Sequence, residues 1–212
     1  MASIQDRTVV TIDMPHHGQS AEPPSGWKIG DCADMLIEIL DQLKLERVIA
    51  IGHFWGSMTI LRAAVKQPDR FASVGLCNMP LEPGSRQKLL RYYLQASLLP
   101  FRSFYTGQAA KALFAPESLK AHPEFVEDLK TSMGRLSNRA VREVDLAVVI
   151  NPDNGFEVLK KLQVPALALR GEKDYVPNPP NIQLVIVPGG HISPLEAPSQ
   201  VRDFVQEVIK NE

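Results

Sequence analysis

Apolar positions in this chain fall into short continuous runs separated by stretches of helical spacing. Residues 8–12 (Thr-Val-Val-Thr-Ile) are β-branched and predict a strand that gives way to a polar loop over 13–20. Asp31 is placed to cap a helix whose apolar face is Leu36, Ile37, Leu40 and Leu43. Residues 48–51 (Val-Ile-Ala-Ile) predict a buried strand. Gly52-His-Phe-Trp-Gly56 follows, then a helix from about Ser57 that stops before Pro68. Residues 71–77 predict a further buried strand. From Leu81 to about Leu146 strand signals vanish and helical segments follow one another. Strands return at 164–169 and 183–187, and an amphipathic helix occupies roughly 198–210.

Strands that alternate with helices at these lengths predict an α/β fold with a mainly parallel sheet and helices on both faces. The expected organisation is a core made of residues 1–80 and 147–212, interrupted by a helical lid over 81–146. Ligands bind such sheets beyond the carboxyl ends of the strands, so the lid is expected to lie over that edge.

Composition narrows the function more than the fold. A chain of 212 residues is long enough for one domain with a real core, and its net charge of −1 gives no reason to expect a nucleic acid or an anionic membrane as partner. Cys32 and Cys77 lie far apart and form no CxxC pair, which predicts reduced thiols in a cytoplasmic setting. The first residues lack the apolar stretch of a secretory signal, and no window approaches the ~20 apolar residues of a membrane span.

Gly52-His-Phe-Trp-Gly56 sits between a strand and a helix, where G-x-S-x-G makes a nucleophile elbow. Three other blocks accompany it in order: Asp13-Met-Pro-His-His-Gly-Gln-Ser20, Leu169-Arg-Gly-Glu-Lys-Asp174 and Gly190-His-Ile-Ser-Pro194. Together they resemble the α/β-hydrolase superfamily, and in particular its esterase- and lactonase-like members. The resemblance covers nearly the whole chain outside the lid. It implies Asp174 as the orienting acid, His191 as the general base and the amide of Trp55 as an oxyanion donor, with Gly52, His53 and Gly56 framing the elbow. It implies no cofactor, and a small apolar carbonyl-containing ligand.

The sequence departs from the family pattern in three places. Phe54 occupies the nucleophile position, and a phenyl ring has no lone pair with which to form an acyl-enzyme. A single base change links serine and phenylalanine codons, which favours a serine-type ancestor. Trp55, however, is also found in the G-H-D-W-G elbow of haloalkane dehalogenases and epoxide hydrolases. Family members carry more chain before the first strand, including a central strand ending in H-G whose following loop supplies a second oxyanion donor. An N-terminally shortened fold is therefore expected, in which either the first strand moves inward to fill the gap or an exposed sheet seam is covered by a second copy of the chain as a homodimer. Lastly, Asp174 and His191 are only 17 positions apart, with a proline-rich stretch between them that leaves no room for a full helix.

The remaining candidates carry weaker signals. Ser57 and Thr59 are the hydroxyls nearest the elbow, but their positions along the helix point away from its tip. His16 and His17 have no carboxylate or cysteine at ligand spacing, so they predict a solvated loop or a substrate rim rather than a metal site. Among the lid aromatics, Tyr92, Phe104 and Tyr105 are expected to touch substrate, while Tyr93, Phe101 and Phe114 fit packing equally well. Arg86, Lys88, Arg91 and Lys111 read as a solvated face. Three activities are compatible with this pattern. The first is a hydrolase of small esters or lactones silenced at position 54. The second is an enzyme using the His–Asp dyad without a covalent nucleophile, as in cofactor-free dioxygenases. The third is a non-catalytic ligand-binding protein.

Overall fold

Among the described residues four parallel strands lie side by side in chain order, and three of them, the first, third and fourth, lead at their carboxyl ends toward Phe54, Asp174 and His191. The computed structural model describes residues 7–96 and 101–211. Strands β1 (Val48–His53), β2 (Phe71–Cys77), β3 (Ala166–Gly171) and β4 (Gln183–Val187) form one sheet in the order β1-β2-β3-β4. Pairing runs from Val48↔Phe71 to His53↔Cys77, then Val74↔Ala166, then Leu167↔Gln183. Every residue of β2 is buried, as expected of a strand with neighbours on both edges and helices on both faces.

Helices α1 (Ile29–Gln42) and α2 (Trp55–Lys66) cover one face through Leu36, Ile37, Leu40, Met58 and Leu61. On the other face, α10 (Pro198–Lys210) inserts Phe204 and Val208 against Leu167, Leu169 and Val187. Between β2 and β3 run α3 (Arg86–Ala96), α4 (Arg102–Leu113), α5 (Pro116–Ala121), α6 (Glu124–Gly134) and α7 (Asn138–Val144). A π-helical turn (Asp145–Ile150) and α8 (Gly155–Leu159) complete that stretch, and α9 (Ser193–Glu196) precedes α10. No helix among the described residues is long and apolar enough to cross a membrane.

The expected strand at 8–12 does not form. The segment carries no ladder hydrogen bonds, and Val9 and Val10 are exposed. A β-branched run becomes a strand only when a neighbour takes up its N–H and C=O groups, and none of the described strands lies against it. Among the described residues no strand pairs with the outer edge of β1, and β1 is half-buried along its length.

Smaller corrections have local causes. Asp31 is not the N-cap residue of α1, which is Lys28; it caps from the third position of the helix, where its carboxylate accepts the Lys28 N–H at 2.8 Å as one arm of a capping box. Leu43 lies at the exposed carboxyl terminus of α1, so the buried stripe ends at Leu40. Helix α2 begins at Trp55 rather than Ser57, and the strand expected from Val164 begins two residues later, after Pro165, which has no N–H for a ladder.

Cys32 and Cys77 are free and buried. Burial pushes their thiols up to about 11 and about 12, respectively. Neither is expected to react with a disulfide reagent in the native protein at pH 8, whereas both should react in denaturant. Rapid labelling of the folded chain would contradict this burial.

Candidate active site

Phe54 follows β1, Asn78 follows β2, Asp174 lies three residues beyond β3, and His191 lies four beyond β4. A parallel sheet thus brings four residues spread over 138 positions to one edge. The His191 Nδ1 and Asp174 Oδ1 atoms are 2.9 Å apart, both side chains being almost wholly buried. Asp174 Oδ2 accepts from Asn78 Nδ2 at 2.7 Å, and Oδ1 also accepts the Val176 N–H at 3.3 Å. Burial is the largest influence on Asp174 and pushes its carboxyl up. The hydrogen bond and charge of His191, the Asn78 amide and the Val176 N–H outweigh it and hold the group below the usual carboxylate range. An ionised Asp174 can only accept, so Nδ1 of His191 carries a proton, and in the neutral form of the ring the lone pair is on Nε2. This is the tautomer that can take a proton from a nucleophile.

The glycines explain how the chain reaches these positions. A Cβ on Gly52 would lie 2.4 Å from the Gly56 carbonyl carbon and 2.5 Å from the Ser57 nitrogen, so only glycine lets α2 turn back over the end of β1. Gly171 has the same role for the histidine loop, because a Cβ there would sit 2.0 Å from the Gly190 oxygen.

Between those supports Phe54 keeps the sharp elbow, with φ 49° and ψ −110°. A bulky residue there costs on the order of 1–3 kcal/mol and persists only where its surroundings over-determine it. The determinants are visible: the Phe54 N–H donates to Cys77 O at 2.9 Å, and its own carbonyl accepts the Met58 N–H. The ring then meets His191 edge-on at 4.9 Å between centroids. Trp55 is the first residue of α2, so its N–H has no acceptor within the helix and remains available at the elbow. Ser57 cannot substitute for the missing nucleophile: its buried hydroxyl lies 2.7 Å from Gly52 O and 2.9 Å from Cys77 O, pinning β1 to β2. Thr59 is buried as well.

Three of the four sequence blocks, those around Phe54, Asp174 and His191, lie beyond the carboxyl ends of parallel strands. The alpha/beta hydrolase fold model matches residues 2–198. The chain belongs to that family. It is 25% identical over 204 residues to the dihydrolipoyllysine-residue acetyltransferase component of the acetoin cleaving system of Pseudomonas putida. That match takes in 92% of this chain but only 54% of the relative, so the chain spans about half of that protein's length. It is also 25% identical to 3-oxoadipate enol-lactonase 2 of Acinetobacter baylyi, over 99% of this chain and 82% of that one. The structure of a thermophilic esterase from Thermogutta terrifontis superposes with a TM-score of 0.80 at 23% identity, covering 93% of this chain and 78% of the other. At that identity the likeness establishes the fold.

Two neighbours of the dyad, Asn78 and Tyr175, were not legible as site residues, and a third, His53, was named only as part of the elbow frame. Asn78 lies in the left-handed region at φ 49°, which an asparagine directly after a buried strand can signal. Tyr175 stacks on the imidazole at 4.7 Å and 24°, with its hydroxyl 3.5 Å from Nε2. His53 donates from Nε2 to the His191 carbonyl at 2.7 Å. Desolvation dominates His53 and lowers it to about 4. Because its folded value lies below the unfolded value near 6.5, its contribution to stability is complete above pH 6.5 and fades as the pH falls to 4. The size is on the order of 3 kcal/mol. Urea midpoints across that window should fall steeply for the native protein and less so for His53→Gln. Parallel profiles would show that His53 is not the group titrating.

The other expected residues are scattered. Phe104 is exposed, and Tyr105 donates its hydroxyl to Asp145 Oδ2 at 3.1 Å. The side chain of Tyr92 lies outside the described residues. Phe114 stacks on Phe125 at 5.1 Å, which is packing. The His16 side chain is not solvated: it is buried 3.1 Å from the Glu143 carboxylate, while His17 meets the Trp55 ring at 5.7 Å. Among the described residues no three histidines, cysteines or carboxylates converge as metal ligands.

Proposed function

We propose that the chain carries the acid–base half of a hydrolase of small esters or lactones, silenced at its nucleophile position, with the helices over 81–146 as its lid. The observation that carries this reading is the retained elbow. Phe54 holds the strained backbone that presents a nucleophile, and its ring fills the space beside the His191 imidazole. Nothing about a phenyl ring requires that conformation, whereas a serine there would point its hydroxyl at the histidine. The enol-lactonase relative, matched over 82% of its length, supports the substrate class.

Direct action of the dyad on a substrate, without a covalent nucleophile, is the weaker reading. His191 is 1% exposed, with Tyr175 over one ring face and Phe54 at its edge, so a substrate would have to displace an aromatic ring to reach Nε2. The test is turnover of a short-chain chromogenic ester by the native chain beside Phe54→Ser. Turnover by the variant alone supports the silenced hydrolase. Turnover by neither removes it.

A further inference from the structure

The dyad is closed, yet a cleft of about 590 Å³ opens elsewhere, between the loop 25–28, the start of α3 and the π-helical turn. That volume falls within the range of small-molecule sites. Its walls are Trp27, Leu89, Leu146, Ala147 and Ile150. Neither Phe54 nor His191 lines it.

Charge distinguishes this cleft from a packing defect. Lys28 and Arg86 both line it, and neither forms an ion pair among the described residues. The one acid in the lining, Glu143, is already engaged, with Arg139 Nε at 2.9 Å from one carboxylate oxygen and His16 Nε2 at 3.1 Å from the other. Ser25 and Ser85 add hydroxyls to the same lining. A hydrophobic cleft that carries two unpaired cations suits an amphipathic anion: the body leaves water against the apolar wall while the head meets the cations.

We propose that this cleft binds an organic monocarboxylate with an apolar chain or ring, its carboxylate held by Lys28 and Arg86 and its body against Trp27, Leu146 and Ile150. A planar guanidinium offers a carboxylate two parallel N–H bonds, which favours that head group over a neutral one. The site is separate from the dyad, and so does not depend on the hydrolase reading. It is linked to the elbow physically, because Trp27 stacks on Trp55 at 5.2 Å and 17° and Trp55 adjoins Phe54.

The same stack supplies the readout. The chain has two tryptophans, and both are in it. Titration with octanoate should change the tryptophan fluorescence saturably, whereas octanol at equal concentration should not saturate. Lys28→Met combined with Arg86→Met should weaken octanoate binding by about tenfold or more, since charged hydrogen bonds are lost. Ala147→Phe, which fills the cleft without touching a charge, should abolish the response. The proposal is overturned if octanoate gives no saturable change, if octanol binds equally well, or if folded double-cation and Ala147→Phe variants both respond as the native protein does.

Discussion

Phe54→Ser is expected to turn over short esters about 10³- to 10⁴-fold faster than the native chain. Removing the serine from a comparable triad costs about 10⁶ in turnover, so restoring it can return that factor at most. Each oxyanion donor is worth about 10² to 10³, so an oxyanion site that is not fully aligned reduces the gain. The remaining conditions are already in place. The elbow backbone stands at φ 49° and ψ −110°, and His191 is oriented by Asp174 at 2.9 Å, itself held by Asn78 at 2.7 Å. Adding Asp174→Asn to the serine variant should cost up to about 10⁴ of the gain, because the wrong imidazole tautomer then faces the serine. Initial rates on a chromogenic acetate ester, with the three proteins side by side, measure both steps. A serine variant no faster than the native chain would remove the silenced-hydrolase reading.

The second large effect is structural. Gly171→Ala should lower the stability by about 3 kcal/mol, at the upper end of ordinary overpacking. The added methyl would lie 2.0 Å from the Gly190 oxygen and 2.6 Å from the Gly189 oxygen, so backbone rather than a flexible side chain must move. For a chain of this size that corresponds to a fall of roughly 6–12 °C in Tm. The loop displaced is the one that carries His191, which a hydrogen bond from its N–H to Leu113 O at 2.7 Å also fastens to the end of α4. In the serine variant the same substitution should therefore reduce ester turnover by about 10² or more, through misplacement of the base. A thermal melt within 2 °C of the native one, with turnover kept, would show that the loop has room to give.

The limits of sequence reading here follow from the range of the forces involved. Helix α10 was legible to the residue because its apolar spacing and its Pro198 start are local facts. Strands β2 and β4 were legible because each is a short apolar run. Residues 8–12 carry an equally good strand pattern and form none, since a strand needs a partner and the pattern says nothing about whether one is present. Asp174 and His191 could be named from the short blocks around them, but their approach to 2.9 Å depends on a parallel register joining β3 to β4.

The amino-acid sequence by itself determined the order of elements, the glycines at each sharp turn, the acid and the histidine, and the absence of a nucleophile at position 54. All of these depend on residue type and on neighbours a few positions away. Only the tertiary structure decided that the elbow stays strained around a phenyl ring, that Asn78 completes the support of Asp174, and that Tyr175 and Phe54 close over His191. It also decided that Arg86, which reads as a solvated surface charge, shares a cleft with Lys28. Each of these is a contact between segments far apart in the chain. Such contacts are set by how the sheet stacks its strands and how the helices fill the remaining space, not by any local preference of the residues that meet.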